Sequence, residues 1–433
     1  MANTSSLRVP FTGVDSLMHA LDEPRRPQNI ELEVAVSERL DEPRLREAVS
    51  SAAARHPMAR ARQLPAKPLD LEYAWEIEGA PRRDPVESCA TAGSAQLDAA
   101  RDAFFSRHID LEAGPPFRLL LVHEEHEGGR VMLSVNHSAF DGVGSLRLLQ
   151  SISRCYAGEA DPLPDVDALQ ARGFLEEQNR RLRRGPAARS GSPLDLGPPP
   201  ARLACKPSET GTGFRILHLD LDAADAASRG DATVNDVLLV ALHRTIDRWN
   251  RSQGVACGRV TVMMPVNQRP AAWRDQVLAN LVLPGRVEST RAERSGTGNL
   301  LAAVSAQTKR IKTQGVGGTT DPMPRRSPVV FRRLLPHLID AVAGRMADTA
   351  VLSNLGRVED PPWFGAKGRG LWFGPPPRSP VVLTLGAATV EERLGISLRW
   401  CAGALSTSAV REFADLFLLA LSELRAAQPG RSG

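Results

Sequence analysis

Apolar and polar residues alternate along Ile30-Glu31-Leu32-Glu33-Val34-Ala35-Val36, which predicts a half-buried strand. Asp41-Glu42-Pro43 then opens a helix that carries Leu45, Ala48, Val49 and Ala52 to about Arg55, with proline tolerated in the first turn. His56-Pro57 ends it, and Met58 to Arg62 reads as the next strand. Residues 95–108 suit a helix and Asp110 to Pro116 a turn. Phe117 to Val122 and Arg130 to Val135 are two strongly apolar strands, and the polar stretch His123 to Gly129 between them fits a hairpin. The second strand leads straight into His137, and a helix follows with Leu146, Leu149 and Ile152 on one face.

The second half repeats this alternation. Strands are predicted at Phe214–Asp220, Val260–Val266, Ala350–Leu355, Val381–Leu385 and Leu394–Trp400. Helices are predicted after Thr233, from Ala302 to Ile311, and from Ser408 to Leu424, with Gln428 to Gly433 as a disordered tail. Between the halves, residues 158–211 change in character: Arg180, Arg181, Arg183, Arg184 and Arg189 cluster before Gly197-Pro198-Pro199-Pro200. That stretch reads as a connector with a solvated charge run; recruitment of an acidic carrier protein or a phosphate tail is the sharper alternative. The predicted class is α/β, in two-layer α+β sandwiches: one lobe over 1–180, a linker over 181–211 and a second lobe over 212–433.

Composition supports two cores. The 433 residues are 42% hydrophobic and 24% charged, which excludes a disordered chain or a fibre, and the length suits two lobes of roughly 200 residues. The net charge of +4 is thin for such a chain and does not predict nucleic-acid binding. Only five of the 54 basic residues are lysine, a bias that says little about chemistry. The five cysteines, Cys89, Cys155, Cys205, Cys257 and Cys401, are scattered and never spaced as CxxC. A reducing cytoplasm is therefore expected, with neither a disulfide framework nor a metal site. Neither a signal peptide nor an apolar run long enough to span a membrane is visible.

The sharpest local signal is His137-Ser138-Ala139-Phe140-Asp141-Gly142, an HxxxDG placed between a strand and a helix. A neutral imidazole there can accept a proton from a hydroxyl, an amine or water near neutral pH. Gly142 permits a tight turn. Asp141, four residues on, can touch the His or point away and clamp the turn through an Arg. There is no GxSxG and no cysteine in a nucleophile signature, so a histidine base would act on the acceptor substrate directly.

These residues resemble the superfamily of His-dependent acyltransferases: nonribosomal-peptide condensation domains, chloramphenicol acetyltransferase, polyketide-associated acyltransferases and wax-ester synthases. His137 matches the second His of the family's HHxxxDG, while Asn136 stands at the first, a departure shared by branches with HxxxDG alone. Val14-Asp15-Ser16 resembles the family's opening, and Leu40 to Arg62 its first helix and "RHP-x-x-R" step. Asp110 to Arg118 resembles its "D-L-x-x-G-P-P-x-R", and Thr233 to Val237 its "T-x-N-D". Pro265 to Pro270 with Asn280 resembles "P-V-N-x-R … G-N", and Ser353-Asn354-Leu355-Gly356 resembles "S-N-x-G".

The resemblance implies two chloramphenicol-acetyltransferase-like lobes in a V, with a tunnel reaching His137 from both faces. It implies a catalytic set of His137, Asp141 and Gly142, with Asp141 acting structurally through an Arg of the second lobe, for which Arg269 is the candidate. Asn136 would support the site. The Gly142 N–H and the Ser353-Asn354 strand end are candidate oxyanion donors; Ser353, Asn354 and Asn280 are candidate substrate contacts, Asn280 alternatively a loop tie. The co-substrate would be an acyl-CoA or a phosphopantetheinyl acyl or peptidyl carrier-protein thioester, the acceptor a small alcohol or amine, and no cofactor would be resident. A freestanding monomeric enzyme late in a natural-product or lipid pathway is expected. A non-catalytic binding or recruitment protein, or the same fold used for cyclisation or hydrolysis, are the competing readings.

Overall fold

The structure, a computed structural model, describes residues 6–125, 128–163, 165–184, 198–207, 213–228, 230–273, 277–314, 328–331, 333–334, 337 and 347–426. In chain order the first half gives β1 (Leu7–Pro10), α1 (Gly13–Leu21), β2 (Asn29–Val36), α2 (Glu42–Arg55), β3 (Ala61–Gln63), β4 (Ala74–Ile77), β5 (Val86–Thr91), α3 (Ser94–Phe105), β6 (Phe117–Glu124), β7 (Gly128–Asn136), α4 (Gly142–Ala157), α5 (Ala168–Ala171) and α6 (Phe174–Arg184). The second half gives β8 (Phe214–Asp222), α7 (Val234–Ser252), β9 (Val260–Asn267), β10 (Val282–Ser289), α8 (Arg291–Arg294), α9 (Thr297–Gln314), β11 (Ala350–Arg357), β12 (Gly368–Gly374), β13 (Leu383–Val390), β14 (Arg393–Cys401) and α10 (Thr407–Ala426).

The helix starts follow the capping chemistry in the sequence. Asp41 accepts the Arg44 N–H (2.8 Å) ahead of α2, whose first turn holds Pro43. Thr233 and Asp236 form a reciprocal capping box at α7. The strand predicted at Met58–Arg62 is shorter than expected. Pro57 favours a helical turn, so Pro57–Arg60 is 3-10 helix and only Ala61–Gln63 is strand. The side chains of Arg181, Arg183 and Arg184, residues 164, 185–197 (with Arg189) and 208–211 of the connector, and the tail after residue 426 lie outside the described residues.

Two large sheets carry the fold. One has the order β12-β2-β7-β6-β5 and the other β10-β9-β11-β13-β14-β8, with a small sheet β1-β4-β3 beside the first. Helices α2 and α4 pack together over the first sheet, and α7, α9 and α10 cover one face of the second. The first core gathers Leu32, Trp75, Phe117, Val135 and Leu149; the second gathers Val240, Trp249, Leu385, Leu398 and Phe413.

The expected division of the chain needs one correction. Residues 368–374, assigned to the second lobe, form β12 and pair antiparallel with β2, Leu371 opposite Val34 and Phe373 opposite Leu32. The chain thus crosses back to complete the first sheet. The crossing depends on glycine: a Cβ at Gly386 or Gly395 would collide with the β12 main chain at Phe373 and Leu371.

β2 also differs from the half-buried strand its alternation predicts, because its polar face is covered by α3 and β7 of the first lobe and by β8 and β14 of the second. Glu33 is buried and accepts Arg101 (2.6 and 2.8 Å), Arg130 (2.9 Å) and His218 of β8 (3.0 Å). Burial alone would raise its pKa, but these partners more than offset that and hold it well below the usual carboxylate range. Glu31 pairs with the buried Arg399 of β14 at 2.5 Å. No described helix is long and apolar enough to cross a membrane.

Candidate active site

His137 is the first residue past β7. Its N–H donates to the Gln28 carbonyl (2.8 Å), and its own carbonyl accepts from Asn280 Nδ2 (2.7 Å). The ring is fixed as well: Nδ1 lies 3.1 Å from the Phe140 carbonyl. A carbonyl only accepts, so Nδ1 carries the proton of the neutral ring and Nε2 is left as the acceptor. Burial lowers the His137 pKa from its ordinary value, opposed by the Asp141 charge and the Phe140 hydrogen bond. His56 and His243 contrast with it. Burial lowers them to about 4 and about 3, and each touches a serine hydroxyl, Ser151 or Ser289, in a packed interior.

Asp141 does not touch the imidazole. Its carboxylate is fully buried and meets Arg269 in a two-point pair, Nη1 to Oδ2 at 2.8 Å and Nη2 to Oδ1 at 2.9 Å. The same two oxygens accept the Gly144 N–H (2.8 Å), which caps α4, and the Leu281 N–H (2.7 Å) ahead of β10. Arg269 spends its other N–H groups on the Val277 and Ala279 carbonyls and Asn267 Oδ1. One ion pair therefore ties the histidine loop and the start of α4 to the second lobe.

Gly142 begins α4 and lines the cavity. No hydrogen bond among the described residues takes its N–H, which sits at the positive end of the helix. A Cβ here would lie 2.8 Å from Phe373 Cζ and 3.2 Å from Leu355 Cδ2. Gly142→Ala is expected to destabilise the fold by about 1–3 kcal/mol, because Phe373 is packed in β12 and cannot simply yield. Urea unfolding checks this, and an unchanged midpoint would remove the packing argument.

The cavity measures about 1580 Å³ and is walled by both lobes, with His137, Gly142 and Leu146 on one side and Met264, Asn267 and Ser353 on the other. Its opening has a cause in the second sheet. β9 and β11 pair only at Val262–Ala350 and Met263–Val351, then part. Met264 to Asn267 and Leu352 to Asn354, beyond the split, line the space. Ser353 makes no side-chain hydrogen bond among the described residues, whereas Asn354 Oδ1 accepts the Gly356 N–H (2.8 Å).

The expected site residues thus divide. His137, Gly142, Arg269, Ser353 and Asn354 line one cavity, with Asp141 behind them. Asn280, expected among the substrate contacts, instead holds the His137 carbonyl. Asn136 is fully buried, donating to Asp22 Oδ2 (2.7 Å) and accepting the Ser138 N–H (2.9 Å), so it shapes the loop from behind. Sequence reasoning missed Gln28, the residue just ahead of β2, which lines the cavity together with Leu355 and Phe373; no motif marks it.

No family model matches the chain. Two Mycobacterium tuberculosis proteins, MT2362 of strain CDC 1551 / Oshkosh and Rv2305 of strain ATCC 25618 / H37Rv, are each 32% identical over 376 residues, 80% of this chain and 83% of theirs; both are described as uncharacterized. Among solved structures, the first condensation domain of the calcium-dependent antibiotic synthetase has a TM-score of 0.70 at 14% identity, covering 98% of this chain and 97% of that one. The starter condensation domain of rhizomide synthetase, bound to C8-CoA and Leu-SNAC, has 0.66 at 14%, covering 97% and 94%. The epimerization domain of the third tyrocidine synthetase B module has 0.63 at 16%, covering 98% of each. The fold is that of the condensation domains, with two chloramphenicol-acetyltransferase-like lobes. Within it, the chain belongs to one family with the two mycobacterial proteins.

Proposed function

We propose that the protein is an acyltransferase that moves an acyl group from a CoA or carrier-protein thioester to an alcohol or amine, with His137 as general base. The observation that supports this best is the fixed ring of His137, whose Nδ1 is held by the Phe140 carbonyl at the wall of a large interlobe cavity. Nε2 accepts the O–H or N–H proton as the acceptor attacks the thioester carbonyl carbon. The tetrahedral oxyanion then needs a donor, for which the Gly142 N–H, Ser353 and Asn354 are the candidates. The C–S bond breaks as the oxyanion collapses, and the proton on Nε2 passes to the departing sulfur. Asp141 and Arg269 hold the loop and take no part in proton transfer.

The test is mass spectrometry of the products formed when a panel of acyl-CoA and acyl-carrier thioesters is offered with alcohols and amines. A new ester or amide in one arm supports the reading; thioester hydrolysis or cyclisation alone, or no turnover in any arm, counts against it. The pH profile is a second check. Because burial lowers the His137 pKa, the neutral base persists below histidine's ordinary 6.5. The acid limb of kcat/KM is therefore expected below pH 6.5, falling about tenfold per unit beneath it. A limb centred above 6.5 would contradict the assignment.

A further inference from the structure

A second buried carboxylate stands behind the histidine loop, on the side of the first lobe. Asp22 ends α1, directly after the cavity residue Leu21, and its side chain is only 2% exposed. Oδ2 accepts Asn136 Nδ2 (2.7 Å) and His108 Nε2 (3.0 Å), while Oδ1 accepts the Gln28 N–H (2.8 Å). Asn136 and Gln28 each reach on to the main chain about His137. Asn136 Oδ1 accepts the Ser138 N–H (2.9 Å), and the Gln28 carbonyl accepts the His137 N–H (2.8 Å). One carboxylate therefore governs two of the bonds that set how residue 137 leaves β7. Asn136 suits this place because an amide has both a donor for Asp22 and an acceptor for Ser138.

His108 belongs to the loop between α3 and β6 and is partly exposed. Its hydrogen bond to Asp22 raises its pKa above the ordinary value; burial opposes the shift, Asp110 adds to it and Arg118 subtracts. Protonated, His108 gives the buried carboxylate a counter-charge. The arrangement complements the Asp141–Arg269 pair, which holds the same loop from the second lobe. We propose that Asp22 is a positioning residue: through Asn136 and Gln28 it sets the direction in which His137 presents Nε2 to the cavity. The inference rests on the reading of His137 as general base. Asp22, Asn136 and His108 are not among the residues lining the cavity, so their influence on turnover passes through the loop. Such influence can be large, because a displacement of about 1 Å at the reacting groups costs on the order of 10²-fold in rate.

The test exchanges the two groups that meet at 2.7 Å. Asp22→Asn sets an amide donor against Asn136 Nδ2 or strips the Gln28 N–H of its acceptor, and Asn136→Asp sets two carboxylates against each other. With both changes together the donor comes from position 22 and the acceptor from position 136, and the Gln28 and Ser138 N–H groups keep their acceptors. Each single variant is expected to lower kcat by roughly 10–100-fold with KM within about twofold of the parent, and the double variant to recover most of that loss. NMR of protein labelled at the histidine ring nitrogens gives a readout that needs no substrate. The parent and the double variant should hold the His137 proton on Nδ1, and the single variants should show a mixture of tautomers. Thermal melts separate this from lost folding, since destabilisation alone leaves kcat per folded molecule unchanged. Where a single variant does not fold, His108→Gln takes its place: it keeps a neutral donor to Asp22, and kcat should fall in the same sense but by less. Variants that match the parent in kcat and tautomer overturn the proposal, as does a double variant no better than the worse single one. A parent that turns over no thioester counts against acyl transfer instead, and the tautomer pattern then decides whether Asp22 positions the ring.

Discussion

His137→Ala is expected to lower kcat/KM for acyl transfer by roughly 10²–10⁴-fold, the span a positioned acid–base group supplies. The loss in stability should be modest. The side chain's hydrogen bond to the Phe140 carbonyl is worth about 1 kcal/mol. The Asn280 and Gln28 contacts are to the main chain of residue 137 and survive the substitution. His137→Gln fills similar space without a titrating nitrogen and is expected to be as inactive as the alanine variant. Steady-state turnover with the best donor, set beside a thermal melt, reads both quantities. Full turnover in either variant would end the general-base assignment. A recruitment protein without catalysis would keep partner binding in His137→Ala and show no turnover in the parent either.

Asp141→Ala is expected to act in the opposite way, with a large loss of folded protein. Removing the carboxylate leaves a buried Arg269 without its counter-ion and strips an acceptor from the Gly144 and Leu281 N–H groups. Breaking such a pair from one side costs about 3–5 kcal/mol. Asp141→Asn keeps one acceptor oxygen, so it should lose less, but it still leaves the guanidinium charge uncompensated. Arg269→Met should resemble Asp141→Ala, and the double variant should lose clearly less than the sum of the two, because no lone charge remains buried. Urea unfolding of the four proteins completes the cycle, or soluble yield where a variant cannot be purified. A melting temperature unchanged in Asp141→Ala would refute the clamp.

The core strands and the histidine loop were legible because short-range physics dictates them. Strict alternation marked β2, continuous apolar runs marked β6 and β7, and capping side chains marked α2 and α7. The pairing of Asp141 with Arg269 was legible through the resemblance, since 128 residues separate them. β12 was not legible. Gly368, Gly370 and Gly374 stand around Trp372 and Phe373, and glycine lowers strand propensity. Those glycines leave room that local propensity ignores: a Cβ on Gly370 would strike Trp372, and one on Gly368 would strike Trp363. The polar face of β2 misled for a related reason. Glu31 and Glu33 alternate as if toward water, but Arg399, Arg101 and His218 cover them from elements far along the chain. Asn280 was half-legible: its type suits either a substrate contact or a loop tie, and only the 2.7 Å bond to the His137 carbonyl decides.

The return of the chain at residues 368–374 has a consequence for synthesis. As the polypeptide leaves the ribosome, β2, β5, β6 and β7 emerge early, yet the outer neighbour of β2 is not available until residue 374 has been made. For that interval β2 is an apolar strand with a bare edge, the kind that recruits other nascent chains. Cutting the gene between the halves would make that transient edge permanent. The first half expressed alone is therefore expected to aggregate, and to become soluble when the second half is made in the same cell.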